Sequence, residues 1–314
     1  EMCIRDSHYN NIRTCNILLQ RGEAYSGNQS EIDPYLGEAY FFRAYNYFYL
    51  LKYFGGVPII TVPLDTDSPE LQKPRNSRYE VADLILSDLQ NAISRLPKEQ
   101  NIATSDKGHI SEQGAKAFKA RVLLYEATWR KYNKTSTDYE GSAGPKSDQV
   151  NEFLEESISL SKDVLDDEVF RIWNHNNELD NLSSRYLFCL EDGSQTGGYG
   201  KDSNKEFIIY SVFDRVLNAG AFSLNNEMNY IYPTRKFIDM FVCTNGMPTT
   251  NNEQFKGYQN VTDEYQNRDY RLMAYVGGPA ESIGSTSGYG DQKFRNPIVG
   301  DKKESANYPV LRLA

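Results

Sequence analysis

Histidine chemistry has little to work with in this chain, which holds only His8, His109 and His175. No His-Glu-x-x-His or Gly-x-Ser-x-Gly motif occurs, so neither a zinc protease helix nor a nucleophile elbow is encoded. Gly200-Lys201 imitates the end of a phosphate loop, but Gln195 and Asp202 stand where glycine and a hydroxyl residue are required. Gly288 and Gly290 lack the third glycine and the strand-turn-helix setting of a dinucleotide fingerprint. Asp65-Thr-Asp67 begins like a calcium loop, yet Glu70 occupies the position that needs glycine. His175 lies in the polar run Trp173-Asn-His-Asn-Asn177 and reads as a loop residue rather than a metal ligand. No catalytic residue, metal site or cofactor is therefore expected. A glycosidase needs only two carboxylates at the right separation, and 43 acidic residues leave that option open. Sugar capture needs less: an aromatic face for the C–H side of the ring and polar groups for its rim. Rings able to do this belong on loops, because core rings are occupied. Trp173, Tyr199 and Tyr289, each in polar or glycine-rich surroundings, are the expected ligand-binding residues, with ordinary packing as the competing reading of each. Trp129, inside a predicted helix, reads as core.

The composition narrows the partners. The 314 residues carry a formal charge of −9, with 23 tyrosines, 15 phenylalanines and two tryptophans. An acidic chain of pI about 5.1 is a poor match for nucleic acid or anionic lipid. Mean hydropathy is −0.63, and no apolar run approaches the ~18 residues of a membrane helix. Cys3, Cys15, Cys189 and Cys243 form no close pair, so zinc and redox motifs are absent, and spacing leaves their disulfide state open. Residues 1–7 have neither the charged nor the apolar region of a signal peptide and read as a scar of cloning or assembly.

Helices must position whatever the loops present. Residues 8–21 carry apolar side chains at helical spacing on one face. A second helix, opened by Asp33-Pro34, runs uninterrupted to Phe54, where Gly55-Gly56 and Pro58 stop it. Its surface is aromatic or apolar almost all round, which predicts enclosure by other helices; Arg43 within it requires a carboxylate or carbonyl partner. Residues 79–96 form the cleanest amphipathic helix, and 114–132 and 151–165 form a further pair. Phe118-Lys-Ala120 echoes Phe42-Arg-Ala44, so the pairs resemble tetratricopeptide units separated by long insertions. Beyond about residue 169, Asn, Gly and Ser become frequent. Phe207–Phe213 is the best strand candidate, with glycine-rich loops at 193–201 and 284–290.

Several motifs together carry a resemblance. Tyr9, Ile12 and Asn16 are followed by Phe42-Arg-Ala44, Tyr47-Phe48, Leu50 and Tyr53-Phe-Gly-Gly-Val-Pro58. Pro233-Thr234 with Asn245-Gly246, Arg268-Asp-Tyr-Arg-Leu272 and Tyr308-Pro-Val-Leu-Arg312 come next. This ordered set resembles the SusD/RagB family of outer-membrane nutrient-uptake lipoproteins; Tyr270 stands where the family commonly has proline. The resemblance implies a mainly α, tetratricopeptide-like scaffold over residues 8–169. It also implies an irregular, loop-rich ligand-binding region with short strands over 170–314, shortened at its C-terminus. By the same resemblance the chain binds a glycan without turnover and delivers it to a SusC-like TonB-dependent transporter. It would sit on the extracellular face of a Bacteroidota-type outer membrane, through an N-terminal lipid anchor that these residues do not carry. A protein- or peptide-binding helical scaffold and a glycoside hydrolase are the alternatives.

Overall fold

The computed structural model describes residues 2–134, 144–145, 147–191, 193, 197–213, 232–260, 262–277, 289–293 and 307–313. The chain divides into two compact units, Glu1–Phe170 and Arg171–Ala314.

The first unit is built from five helices among its described residues: α1 (Met2–Glu23), α2 (Gln29–Phe54), α3 (Arg78–Ile93), α4 (Glu112–Asn133) and α5 (Val150–Asp166). Sequence neighbours pack against one another, as helices joined by connections of modest length do. α1 begins at Met2, so residues 2–7 continue the helix rather than interrupting it. α2 begins before the expected Asp33-Pro34: Asn28 accepts the Ser30 N–H as its cap, and Pro34 lies inside the helix. Its end is as expected, with Gly55 at φ +69° and its N–H bonded to the Leu51 carbonyl. α3 stops at Ile93, three residues short of the expected Leu96. It opens with a capping box in which Ser77 Oγ accepts from Glu80 N and Glu80 Oε2 accepts from Ser77 N.

The aromatic face of α2 meets α4, with Phe41 and Phe48 packed on Phe118 at ring separations of 5.3 and 5.6 Å. The helix is not enclosed all round, however, because Phe42 and Tyr53 are exposed. Tyr45, Tyr49 and Tyr53 form a ladder along it, one turn apart, and Lys52 covers the Tyr49 ring at 3.8 Å. Tyrosine tolerates this position because its ring packs while its hydroxyl stays wet.

Arg43 finds the partner its burial demands. Its Nε and Nη2 donate to Asp88 of α3 at 2.8 and 2.7 Å, and its Nη1 donates to Asn16 of α1 at 2.9 Å. Asn16 in turn donates to the Ile60 and Val62 carbonyls, tying the segment after α2 to the same knot. Beside it, burial pushes the Cys15 thiol up to about 11. One helix pair later the pattern recurs in altered form. Lys119 of α4 pairs with Glu156 of α5 at 2.7 Å, while fully buried Glu126 pairs with both Arg78 and Arg130.

In the second unit the described residues give short elements only: α6 (Ser183–Tyr186), β1 (Phe207–Ser211), α7 (Arg235–Asp239), α8 (Tyr270–Tyr275), β2 (Val276–Gly277), β3 (Gly290–Asp291) and β4 (Tyr308–Arg312). β1 pairs antiparallel with β4, Tyr210 opposite Pro309, with two register irregularities; β2 pairs antiparallel with β3. Two small cores result. One holds Trp173, Leu179, Leu187, Phe188, Leu190 and Phe207, the other Ile238, Leu272 and Val276, and Tyr275 packs against both. The architecture is thus mainly α, with short strands confined to a loop-rich unit. The glycine-rich loop expected at 284–290 lies outside the described residues except for Tyr289 and Gly290, and that at 193–201 except for Gly193 and residues 197–201.

Candidate functional site

Two of the three expected ligand residues come together. Trp173 and Tyr199 meet edge to face at 5.7 Å, and His175 stacks on Tyr199 with centroids 3.9 Å apart. The corner is held from below. Buried Glu206 accepts the Trp173 backbone N–H at 3.0 Å, Ser203 accepts the indole N–H at 3.1 Å, and Ser203 donates to the Gly200 carbonyl. His175 N donates to Ser183 Oγ at 2.7 Å, which fixes the loop that carries it. Trp173 is 5% exposed, so most of its ring belongs to the core and only a small part faces outward. His175 and Tyr199 are each half-buried. A cleft of about 330 Å³ opens beside them, lined by Arg171, Ile172, Trp173, Asn174, His175, Ser203 and Lys205. Aromatic edges next to amide, hydroxyl and cationic donors can hold a hydroxyl-rich ring in one orientation.

Tyr289 lies elsewhere. Its hydroxyl donates to buried Glu264 at 3.1 Å and accepts from Arg235 at 2.7 Å. Burial, followed by the Glu264 charge, pushes its phenol up. Arg235 also donates to Asp239 at 2.9 Å and lies 3.8 Å over the ring of Tyr258, which is 55% exposed. The Arg235 side-chain bond holds the Asp239 carboxyl below the usual carboxylate range. This exposed Arg–carboxylate–tyrosine cluster escaped the sequence reading, although Arg235 follows directly on the Pro233-Thr234 motif. His175 was placed in a loop with no role; its contact with Tyr199 depends on a turn that spacing does not reveal. Trp129 is half-buried rather than fully core, its ring covered by the Arg78 guanidinium at 4.2 Å.

No group of three or more potential metal ligands occurs among the described residues. No helix among them is long and apolar enough to cross a membrane.

Residues 4–124 match the SusD-like family model described as starch-binding and associating with the outer membrane. A curated SusD-like protein of Formosa agariphila is 43% identical over 91 residues, which is 29% of this chain and 17% of that protein. Two Bacteroides fragilis crystal structures share the fold over 99% of the chain. A SusD-like protein superposes with a TM-score of 0.70 at 21% identity, and a SusD-like carbohydrate-binding protein with 0.72 at 19%. The chain covers 61% and 58% of those two proteins. Its first 124 residues thus resemble the SusD-like family in sequence, and its fold is that of the SusD-like structures.

Within this chain the recognisable motifs are structural. Arg43 ties three segments together, as described above. Thr234 caps α7 by accepting from Phe237 N, and Gly246 takes φ +77° in the turn that follows. Buried Arg268 donates to the carbonyls of Glu264, Ile238 and Phe241, satisfying the end of α7. Arg312 in β4 reaches Glu206 at 3.5 Å, the same carboxylate that holds Trp173. The motifs therefore brace the loops, while Trp173, His175 and Tyr199 lie between them in the sequence.

Proposed function

We propose that this SusD-like chain captures a glycan at the Trp173–His175–Tyr199 corner and releases it unchanged. The observation that carries this reading is the cleft itself: aromatic edges and convergent polar donors on loops pinned by Glu206, Ser203 and Ser183. One of the similar B. fragilis structures is a SusD-like carbohydrate-binding protein, which supports it. Binding without hydrolysis is favoured by the lining of the cleft, which among the described residues includes no carboxyl group to serve as general acid. In the same reading the whole protein is lipid-anchored on the extracellular face of an outer membrane. It passes its ligand to a SusC-like TonB-dependent barrel, and the family description supports the outer-membrane association. Tyr289, through its contact with Arg235, belongs to a second surface that the ligand can extend over. Protein binding is the second reading, and the exposed Phe42 and Tyr53 on α2 favour it.

The test is native gel retardation in a panel of soluble polysaccharides, with Tyr199→Ala, His175→Ala and Tyr289→Ala run alongside. Retardation by one glycan class without product release is expected, weakened by about tenfold in Tyr199→Ala, in line with about 1–3 kcal/mol for a stacked ring. Retardation by no polysaccharide would leave protein or peptide binding as the function. Release of reducing sugar would make the protein a hydrolase.

A further inference from the structure

The cleft beside Trp173 has a sign of charge opposite to that of the chain. Arg171 and Lys205 both line it and both are exposed, and neither forms an ion pair among the described residues. They are held side by side, because Arg171 N donates to the Lys205 carbonyl at 2.9 Å. Among the described residues no carboxylate lines the cleft. The acid next in the chain, Glu206, is buried beneath it, engaged by the Trp173 N–H and by Arg312. Lys201, one turn away, is already paired with Glu191. The remaining lining groups, Asn174, His175 and Ser203, can all donate hydrogen bonds.

We propose that this cleft selects glycans bearing an anionic substituent, a carboxylate or a sulfate ester, with Arg171 and Lys205 as the residues that determine the specificity. The inference rests on glycan capture at this site and names the class of glycan. A guanidinium offers a planar fork that matches two oxygens of either group, and an ammonium adds a point charge beside it. At physiological ionic strength charges beyond about 8 Å are largely screened, so these two cations outweigh the chain's overall −9 at the site. Among the described residues neither cation is buried and neither closes an ion-pair network, so folding of those residues does not account for them.

The experiment measures affinity for four oligosaccharide probes at 0.15 M and 1 M salt. They are an oligogalacturonide, its carboxyl-reduced counterpart, a sulfated galactan oligosaccharide and its desulfated counterpart. One anionic probe is expected to bind about tenfold or more tightly than its neutral counterpart, with the advantage shrinking at 1 M salt. Which of the two does so separates carboxylate from sulfate. The double variant Arg171→Gln/Lys205→Gln should lose that advantage to within about twofold, each exposed cation contributing up to roughly fivefold. It should keep its melting temperature, and its affinity for the neutral probes should fall far less than that for the anionic one. Equal or tighter binding of the neutral probes, or an anionic preference that survives the double variant, overturns the inference while leaving glycan capture intact. Failure of all four probes, and of a broad neutral panel as well, overturns glycan capture itself and the inference with it.

Discussion

Asp88→Ala isolates the interaction that organises the helical unit. Arg43 and Asp88 are 6% and 2% exposed, and two charge-assisted hydrogen bonds of 2.7 and 2.8 Å join them. Each such bond is worth about 1.5–3 kcal/mol, and removing one partner leaves a buried charge without compensation. In Asp88→Ala, Arg43 keeps only Asn16 among its side-chain acceptors. The expected loss is about 4 kcal/mol, within the range of about 3–5 for breaking a buried pair. Asp88→Asn preserves the volume and one acceptor, and should cost about half as much. Replacing the pair, in Arg43→Met/Asp88→Leu, removes the buried charge together with its partner and should be milder than Asp88→Ala alone. Each compact unit contains one tryptophan, Trp129 in the first and Trp173 in the second. In a Trp173→Phe background, Trp129 fluorescence therefore follows the helical unit through urea unfolding, avoiding the assumption that both units melt together. A coupling energy above about 2 kcal/mol is expected from the cycle of Arg43→Met, Asp88→Leu and their double variant. A loss under about 1 kcal/mol in Asp88→Ala, or a double variant at least as unstable as that single one, would refute the reasoning.

The two glycines after α2 should respond differently to alanine. Gly55 faces open space but sits at φ +69°, ψ −131°, outside the left-handed helical region, so Gly55→Ala should cost about 2 kcal/mol of backbone strain. A Cβ on Gly56 would lie 2.1 Å from the Asn76 carbonyl oxygen, so Gly56→Ala must displace backbone and should cost about 3 kcal/mol; the reverse order in urea midpoints contradicts this. By carboxyl NMR, Asp239 should titrate below the ordinary aspartate value of about 3.9, returning towards it in Arg235→Met. Because the folded value is depressed, the stability it contributes is present above about pH 3.9 and is lost as pH falls through the folded value. Identical titrations in the two proteins would show that Arg235 is not the cause.

The helical half was legible because its signals are local. Apolar spacing and the Gly55-Gly56 stop each act within a few residues, and helices follow at α1 to α5 near the expected bounds, save that α1 starts six residues earlier. The start of α2 was misplaced because Asn28 caps more effectively than Asp33-Pro34, and a 26-residue helix tolerates one internal proline. The need of Arg43 for a partner could be inferred from its apolar surroundings, since a lone buried charge is too costly to leave unpaired. That the partner would be Asp88, with Asn16 completing the set, could not.

The second unit shows where sequence reasoning stops. Aromatic residues in polar loops indicated ring faces for a ligand, but a loop ring gains its role from what folds over it. Trp173 was drawn into the core because Glu206, thirty-three positions away, holds its backbone, while His175 moved onto Tyr199 and became part of the surface. Tyr289 was separated from them by Arg235 and Glu264, partners it meets only through tertiary contacts. Sequence by itself determined the helical architecture and the family resemblance, because helix periodicity, caps and stops are set by neighbours along the chain. Tertiary structure alone decided which rings face a cleft and which cations stay unpaired, because burial and ion pairing depend on residues brought together from distant segments.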